Sequence, residues 1–269
     1  MTVTLQTGLQ IEDVVAVARN NEPVELSTAA REAIEEGHDA LEGVLTTDRR
    51  LYGVNTGFGN LQEEDVNRAA LEELQENLLR CTDAAVGDPV DTEVVRATLL
   101  VRANSLAAGI SGVRPSVVNQ LVSMLNQGVH PLIRAAGSTD DLGAVANVGL
   151  VMIGEGVAEY RGDQVAGSKA LDYAGLNPIS LDPKEGLAII NGPCLMTAMT
   201  ALAIADVGQL VRTADVIGAA TFDRIGTHPS AFDPRVFEHK PSPGAATAAA
   251  NLRASLALDP DELGTGDLD

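Results

Sequence analysis

The chain has no tryptophan, and aromatic residues make up only 3% of its 269 positions. A core without large rings has to be assembled from Ala, Val, Leu and Ile, and an Ala-, Leu- and Glu-rich composition favours helix over strand. Hydrophobic residues still account for 45% of the chain, which excludes disorder as the default state and allows a substantial buried core. Cysteine is scarce as well. Cys81 and Cys194 lie far apart, form no metal-ligand spacing and give no disulfide framework, so two reduced thiols are expected. The start, MTVTLQTGLQIED, lacks the basic and apolar stretches of a signal peptide, and a cytoplasmic protein is expected.

Basic residues are the next shortage. Eighteen Lys and Arg face 38 Asp and Glu, for a formal net charge of -20, and the only lysines are Lys169, Lys184 and Lys240. A nucleic-acid binder needs a cationic footprint, and this chain carries the opposite sign. An anionic membrane surface is disfavoured on the same ground. Scarce Lys with abundant carboxylates resembles the proteins of extreme halophiles, in which salt screens the self-repulsion. The apolar segment from Gly186 to Ala205 is interrupted by Asn191, Pro193, Thr197 and Thr200, and is expected to be a core helix, not a membrane span.

Helical spacing dominates what is present. Ser27 is a candidate N-cap for the acidic amphipathic run TAAREAIEEGHDALEGVL. LYGVNTGFGNL, with Gly53, Gly57 and Gly59, suits a loop. Helices are expected over 66–80, 93–108, 116–126 and 142–154, and one long or two consecutive helices over 185–222, enclosed by others. The stretch from Glu159 to Pro183 suits a small hairpin or irregular lobe. The expected class is all-α with small irregular pieces. A single helical domain is expected over 1–256, followed by an acidic tail at 257–269 that frays.

Four ordered segments carry a family resemblance: YGVNTGFGNL at 52–61, VRANSLAAGISGVRP at 101–115, DLGAVANVGLVMIGEGVAEYRG at 141–162, and AIINGPCLMTAMTALAIAD with AFDPRVFEHKPSPGAATAAANLR between 188 and 253. Together they resemble the aromatic amino acid ammonia-lyases, with histidine ammonia-lyase nearest, over most of the chain. The resemblance implies the N-terminal part of a long-helix bundle and the elimination of ammonia from an L-amino acid. It also implies a cofactor made from the chain itself: an Ala-Ser-Gly tripeptide that cyclises and loses water to give methylidene-imidazolone. No external cofactor and no metal are expected.

At the aligned tripeptide this chain has Ser138, Thr139 and Asp140. Thr139 would leave a more hindered, methyl-substituted alkene. Asp140 loads the attacking nitrogen's residue with a branched, charged side chain where the ring closure uses an unhindered glycine. The ring is therefore not expected to form. Tyr52 matches the family's loop tyrosine, an acid/base or amine-positioning group, and Asn191 matches its cofactor-contacting asparagine. Read without the resemblance, Tyr52 is a ring packed over a glycine-rich loop, and Asn191 a helix-start amide making local bonds. Cys81 and Thr82 stand where the histidine enzymes carry Ser-His, which leaves Thr82 as the substrate-facing position and makes imidazole recognition doubtful. His38, His130, His228 and His239 are scattered and expected to be structural. Family members build each site from several subunits and continue beyond the matched region. A homo-oligomer, or association with a complementary lyase chain, is thus expected, with a small amino acid as substrate if the site is active. The alternative is a non-catalytic truncated relative or an assembly partner.

Overall fold

The structure, a computed structural model, describes residues 2–6, 8–47, 49–59, 70–137, 141–226, 229–239 and 241–258. Along these, β1 (Val3–Leu5), α1 (Ile11–Asn20), β2 (Val24–Leu26), α2 (Thr28–Leu45), α3 (Leu71–Thr82), β3 (Val86–Pro89), α4 (Thr92–Ala107) and α5 (Pro115–Gln127) follow in order. Then come β4 (Val129–Pro131), β5 (Arg134–Ala136), α6 (Asp141–Met152), β6 (Val157–Tyr160), β7 (Asp163–Ala166), α7 (Gly167–Tyr173), α8 (Glu185–Ile190) and α9 (Cys194–Ile225). The last helices are α10 (Pro234–His239) and α11 (Pro243–Ser255). The chain divides into two compact units, Met1–Ala203 and Ile204–Asp269. The expected mainly helical architecture is what forms. The acidic tail expected to fray falls almost wholly outside the described residues, as do Ser138, Thr139, Asp140 and His228.

In the first unit the helix signals act as read. The Ser27 hydroxyl accepts the Ala30 N–H at 3.1 Å and starts α2. Pro115 opens α5, where its missing N–H costs nothing, and Gly128 closes it in the left-handed region. α4 is buried on nearly all sides, with Ala97, Leu99, Leu100 and Ala103 fully enclosed. It packs against α1, α2 and α5.

Two buried arginines on α4 tie it to the ends of its neighbours. The Arg96 Nε and Nη2 donate to the Val17 carbonyl at 3.0 and 2.8 Å, and Nη1 donates to the Leu125 carbonyl at 3.0 Å. Those carbonyls belong to the last turns of α1 and α5, where the helix ladder runs out and the helix dipole is negative; the Leu125 carbonyl also accepts the capping Gly128 N–H at 3.4 Å. Arg96 Nη1 also donates to His130 Nε2 at 3.2 Å. A guanidinium cannot accept, so this ring nitrogen is the unprotonated one. Burial and then the Arg96 charge hold the His130 pKa below its ordinary value, with Glu159 opposing them.

The strands are short. β1 and β2 pair in parallel across α1, and β3 pairs with β5. β6 and β7 form the expected hairpin, turned by Arg161 and Gly162 at φ 54° and 90°, and β4 joins its edge. Buried Asn147 on α6 ties this sheet down. Its Nδ2 donates to the Leu132 and Val157 carbonyls at 2.9 and 2.7 Å, and its Oδ1 accepts the Val157 N–H at 3.2 Å.

The long apolar run resolves into two helices, α8 and α9, broken at Asn191-Gly192-Pro193. The first turns of α9 are enclosed: Leu195, Ala198 and Leu202 are buried. Further along, Val207, Leu210, Val211, Val216 and Ile217 are exposed, so enclosure by other helices does not extend to the whole helix as expected. In the second unit, Phe222 and Phe232 stack with ring centroids 4.7 Å apart, and Asn251 donates to Asp215 at 2.7 Å.

Candidate active site

Within the first unit, the Tyr52 loop, the end of α3, the start of α6 and the break between α8 and α9 are each positioned by hydrogen bonds. The loop carrying Tyr52 is the first. The Leu51 N–H donates to Asn55 Oδ1 at 2.7 Å, and the Thr56 hydroxyl accepts the Gly53 N–H at 3.3 Å, which closes a tight turn. Gly53 has φ +68°, and a Cβ there would stand 2.5 Å from Leu187 Cδ2, so the loop lies directly on α8. Tyr52 is 55% exposed, its ring is edge-on to Phe58, and its hydroxyl accepts the Gly59 N–H at 3.3 Å.

Gln75 fastens this loop to α8. It is fully buried on α3, donates Nε2 to the Gly53 carbonyl at 3.4 Å, and accepts the Leu187 N–H on Oε1 at 3.1 Å. The sequence reading missed it. The signal was there, since position 75 lies four residues after Leu71 and four before Leu79, on the face α3 buries.

The end of α3 and the tripeptide's upstream flank are brought together by β-pairing. Thr82 closes α3 with its hydroxyl donating to the Leu78 carbonyl at 2.6 Å, and Cys81 is exposed beside it. β3 starts four residues after Thr82, and its Val86 is paired with Ala136 at the end of β5. Gly137 then takes φ +82°, where a Cβ would stand 2.9 Å from Val86 Cγ2.

Downstream, Asp141 opens α6, and its Oδ2 accepts the N–H groups of Leu195 and Met196 at 2.9 and 3.1 Å. A carboxylate from one helix start thereby caps another, with its charge at the positive end of α9.

Asn191 occupies the break between α8 and α9. Its N–H donates to the Leu187 carbonyl at 2.9 Å, and its own carbonyl accepts from Arg102 Nη1 at 2.7 Å. A cleft of about 240 Å³ lies here, lined by Val101, Arg102, Ser105, Asn191, Cys194 and Thr197 among others. Burial pushes the Cys194 thiol up, with the Arg102 charge opposing, so this sulfur is a neutral thiol. The structure thus gathers the Tyr52 loop and the Asn191 break around α8, and the Asp141 cap puts the downstream flank of the tripeptide at the start of α9, next to that break. His38 and His130 have partners outside this site: His38 bonds the Gly112 carbonyl and His130 bonds Arg96; in the second unit His239 bonds the Arg235 carbonyl.

Comparison with known proteins agrees with this arrangement. Residues 9–261 match the family model described as aromatic amino acid lyase. The histidine ammonia-lyase of Gloeobacter violaceus is 44% identical over 248 residues, which are 91% of this chain and 48% of that protein. Among solved structures, the Pantoea agglomerans phenylalanine aminomutase superposes with a TM-score of 0.91 at 32% identity, covering 96% of this chain and 50% of that one. The histidine ammonia-lyase of Trypanosoma cruzi gives 0.89 at 31% identity, covering 94% and 51%. The chain spans about half the length of the relatives it matches. With nearly its whole length matched, this chain belongs to the aromatic amino acid lyase family.

Proposed function

We propose that the chain is a histidine/aromatic amino acid ammonia-lyase relative that keeps the frame of the site but does not form the electrophile, so that alone it releases no ammonia. The observation that carries this reading is the residue set Ser138-Thr139-Asp140 between two firmly placed flanks, Gly137 and Asp141. Closing a methylidene-imidazolone requires an amide nitrogen with open access and a hydroxyl that leaves as water. Asp140 puts a carboxymethyl group beside that nitrogen, and Thr139 adds a methyl group to the alkene. These residues do not fit the group. Tyr52, Thr82 and Asn191 are then an inherited acid/base or amine-positioning group, a substrate-facing hydroxyl and a cofactor-side amide without their electrophile.

A second reading has its own support in α9. Its exposed Val207, Leu210, Val211, Val216 and Ile217 form an apolar surface that favours association, either with further copies or with a complementary lyase chain. In this reading the chain is an assembly partner in the cytoplasm of a salt-adapted cell.

Incubation with L-His, L-Phe and L-Tyr separates the two from a working lyase. No urocanate- or cinnamate-type absorbance should develop from the chain alone. Co-elution with a full-length family lyase at micromolar concentration in high salt supports the partner role, and separate elution counts against it.

A further inference from the structure

We propose that Arg102 is the positioning residue of the site: its buried guanidinium, reaching from α4, fixes the place of Asn191. The inference rests on Asn191 being a site residue. Arg102 is only 4% exposed. Its Nη1 donates to the Asn191 carbonyl at 2.7 Å and, at the limit of range, to the Ala188 carbonyl at 3.5 Å. Its Nη2 donates to the Gly192 carbonyl at 3.1 Å and to Cys194 Sγ at 3.2 Å. One planar fork therefore holds the end of α8, the break and the first residue of α9.

Three physical features make this more than packing. First, α8 is only six residues long, so its end carbonyls have few helix partners, and a cation at a helix C-terminus matches both the orphan acceptors and the dipole. Second, the break is shaped to admit the fork. Gly192 has φ +123°, and a Cβ there would stand 3.3 Å from Nη2 and 3.5 Å from Nη1, so a side chain would push the guanidinium back. Third, Arg102 Nε is buried without a hydrogen-bond partner among the described residues. A residue kept only to fill space would not leave a donor unsatisfied in the interior, where the alternative apolar side chain carries no such cost. With its N–H held by Leu187 and its carbonyl held by Arg102, the Asn191 backbone is pinned on both sides of its Cα.

The test compares the whole chain with Arg102→Met, which keeps most of the volume, and Arg102→Lys, which keeps the charge but not the fork. The readout is the backbone carbonyl ¹³C resonances of Asn191 and Gly192, with thermal melting as the control for folding. Both variants should displace both resonances, and Lys should fail to restore the pair together. Resonances in the Met variant that coincide with those of the unsubstituted chain would overturn the proposal, as would full restoration by Lys. Should neither variant fold, the unsubstituted chain decides. A scalar coupling from Arg102 Nη1 across the hydrogen bond to the Asn191 carbonyl carbon is expected, and its absence overturns the proposal. None of these readouts depends on ammonia release, so failure of the functional reading leaves the outcome intact.

Discussion

The carboxylate of Asp141 receives the N–H of Leu195 at 2.9 Å, across 54 residues of sequence, and so joins the start of α6 to the start of α9. Met196 shares the same oxygen at 3.1 Å. This cap holds the downstream flank of the tripeptide segment next to the Asn191 break. Asp141→Ala should cost about 1 kcal/mol, the usual value of a lost N-cap. Asp141→Asn, which keeps the acceptor but not the charge, should cost less. Urea denaturation measures both; equal losses would assign the whole effect to the charge at the helix dipole and none to the acceptor, whereas no loss in Asp141→Asn would show that the charge contributes nothing here.

Gln75 gives a second prediction. Gln75→Leu fills the same space but strips the partner from the Gly53 carbonyl and the Leu187 N–H. Leaving two interior backbone groups unpaired should destabilise by about 1–3 kcal/mol. Hydrogen exchange at the Leu187 amide should accelerate well beyond the change at the amide of Leu121, a buried core residue of α5. Uniform acceleration would point to a global effect only.

His130 supplies a pH dependence whose sign follows from its place between Arg96 and Glu159. Its folded pKa is depressed, chiefly by burial. The unfolded chain therefore binds more protons than the folded one in the window below the ordinary histidine value of about 6.5. Its stabilising contribution is fully present above that value and is lost as pH falls toward the folded pKa. The urea midpoint should drop between about pH 7 and about pH 5, with a smaller drop in His130→Gln. An identical drop in both would assign the effect to other groups.

Salt should act in the opposite direction to its usual effect on paired surface charges. At a net charge of -20 the folded chain repels itself. Raising KCl from about 0.1 to about 1 M shortens the Debye length from about 10 to about 3 Å. The melting temperature should rise across this range. A flat or falling curve would remove the reading of the acidic composition as salt adaptation.

Much of this fold was legible because helices announce themselves. Ser27 caps α2 where its position before an amphipathic run said it would, and α5 covers the 116–126 span that its apolar spacing predicted. Strands of three or four residues carry too little period to read, so the parallel pairing of β1 with β2 was not foreseen, and β3, written Val-Gly-Asp-Pro, resembles a turn. The frame of the candidate site was visible through its glycines, Tyr52 and the Asn191-Gly192 pair. Its fastenings were not. Arg96 and Arg102 look like ordinary charges in a helical sequence, and only the tertiary structure puts them under the carbonyl ends of α1, α5 and α8.

The central claim is that Ser138-Thr139-Asp140 stays an open peptide, and the intact mass of the purified chain tests it most directly. The account predicts the mass of the unmodified sequence. A product lighter by two waters, with the deficit mapping to a peptide that contains residues 138–140, would contradict it.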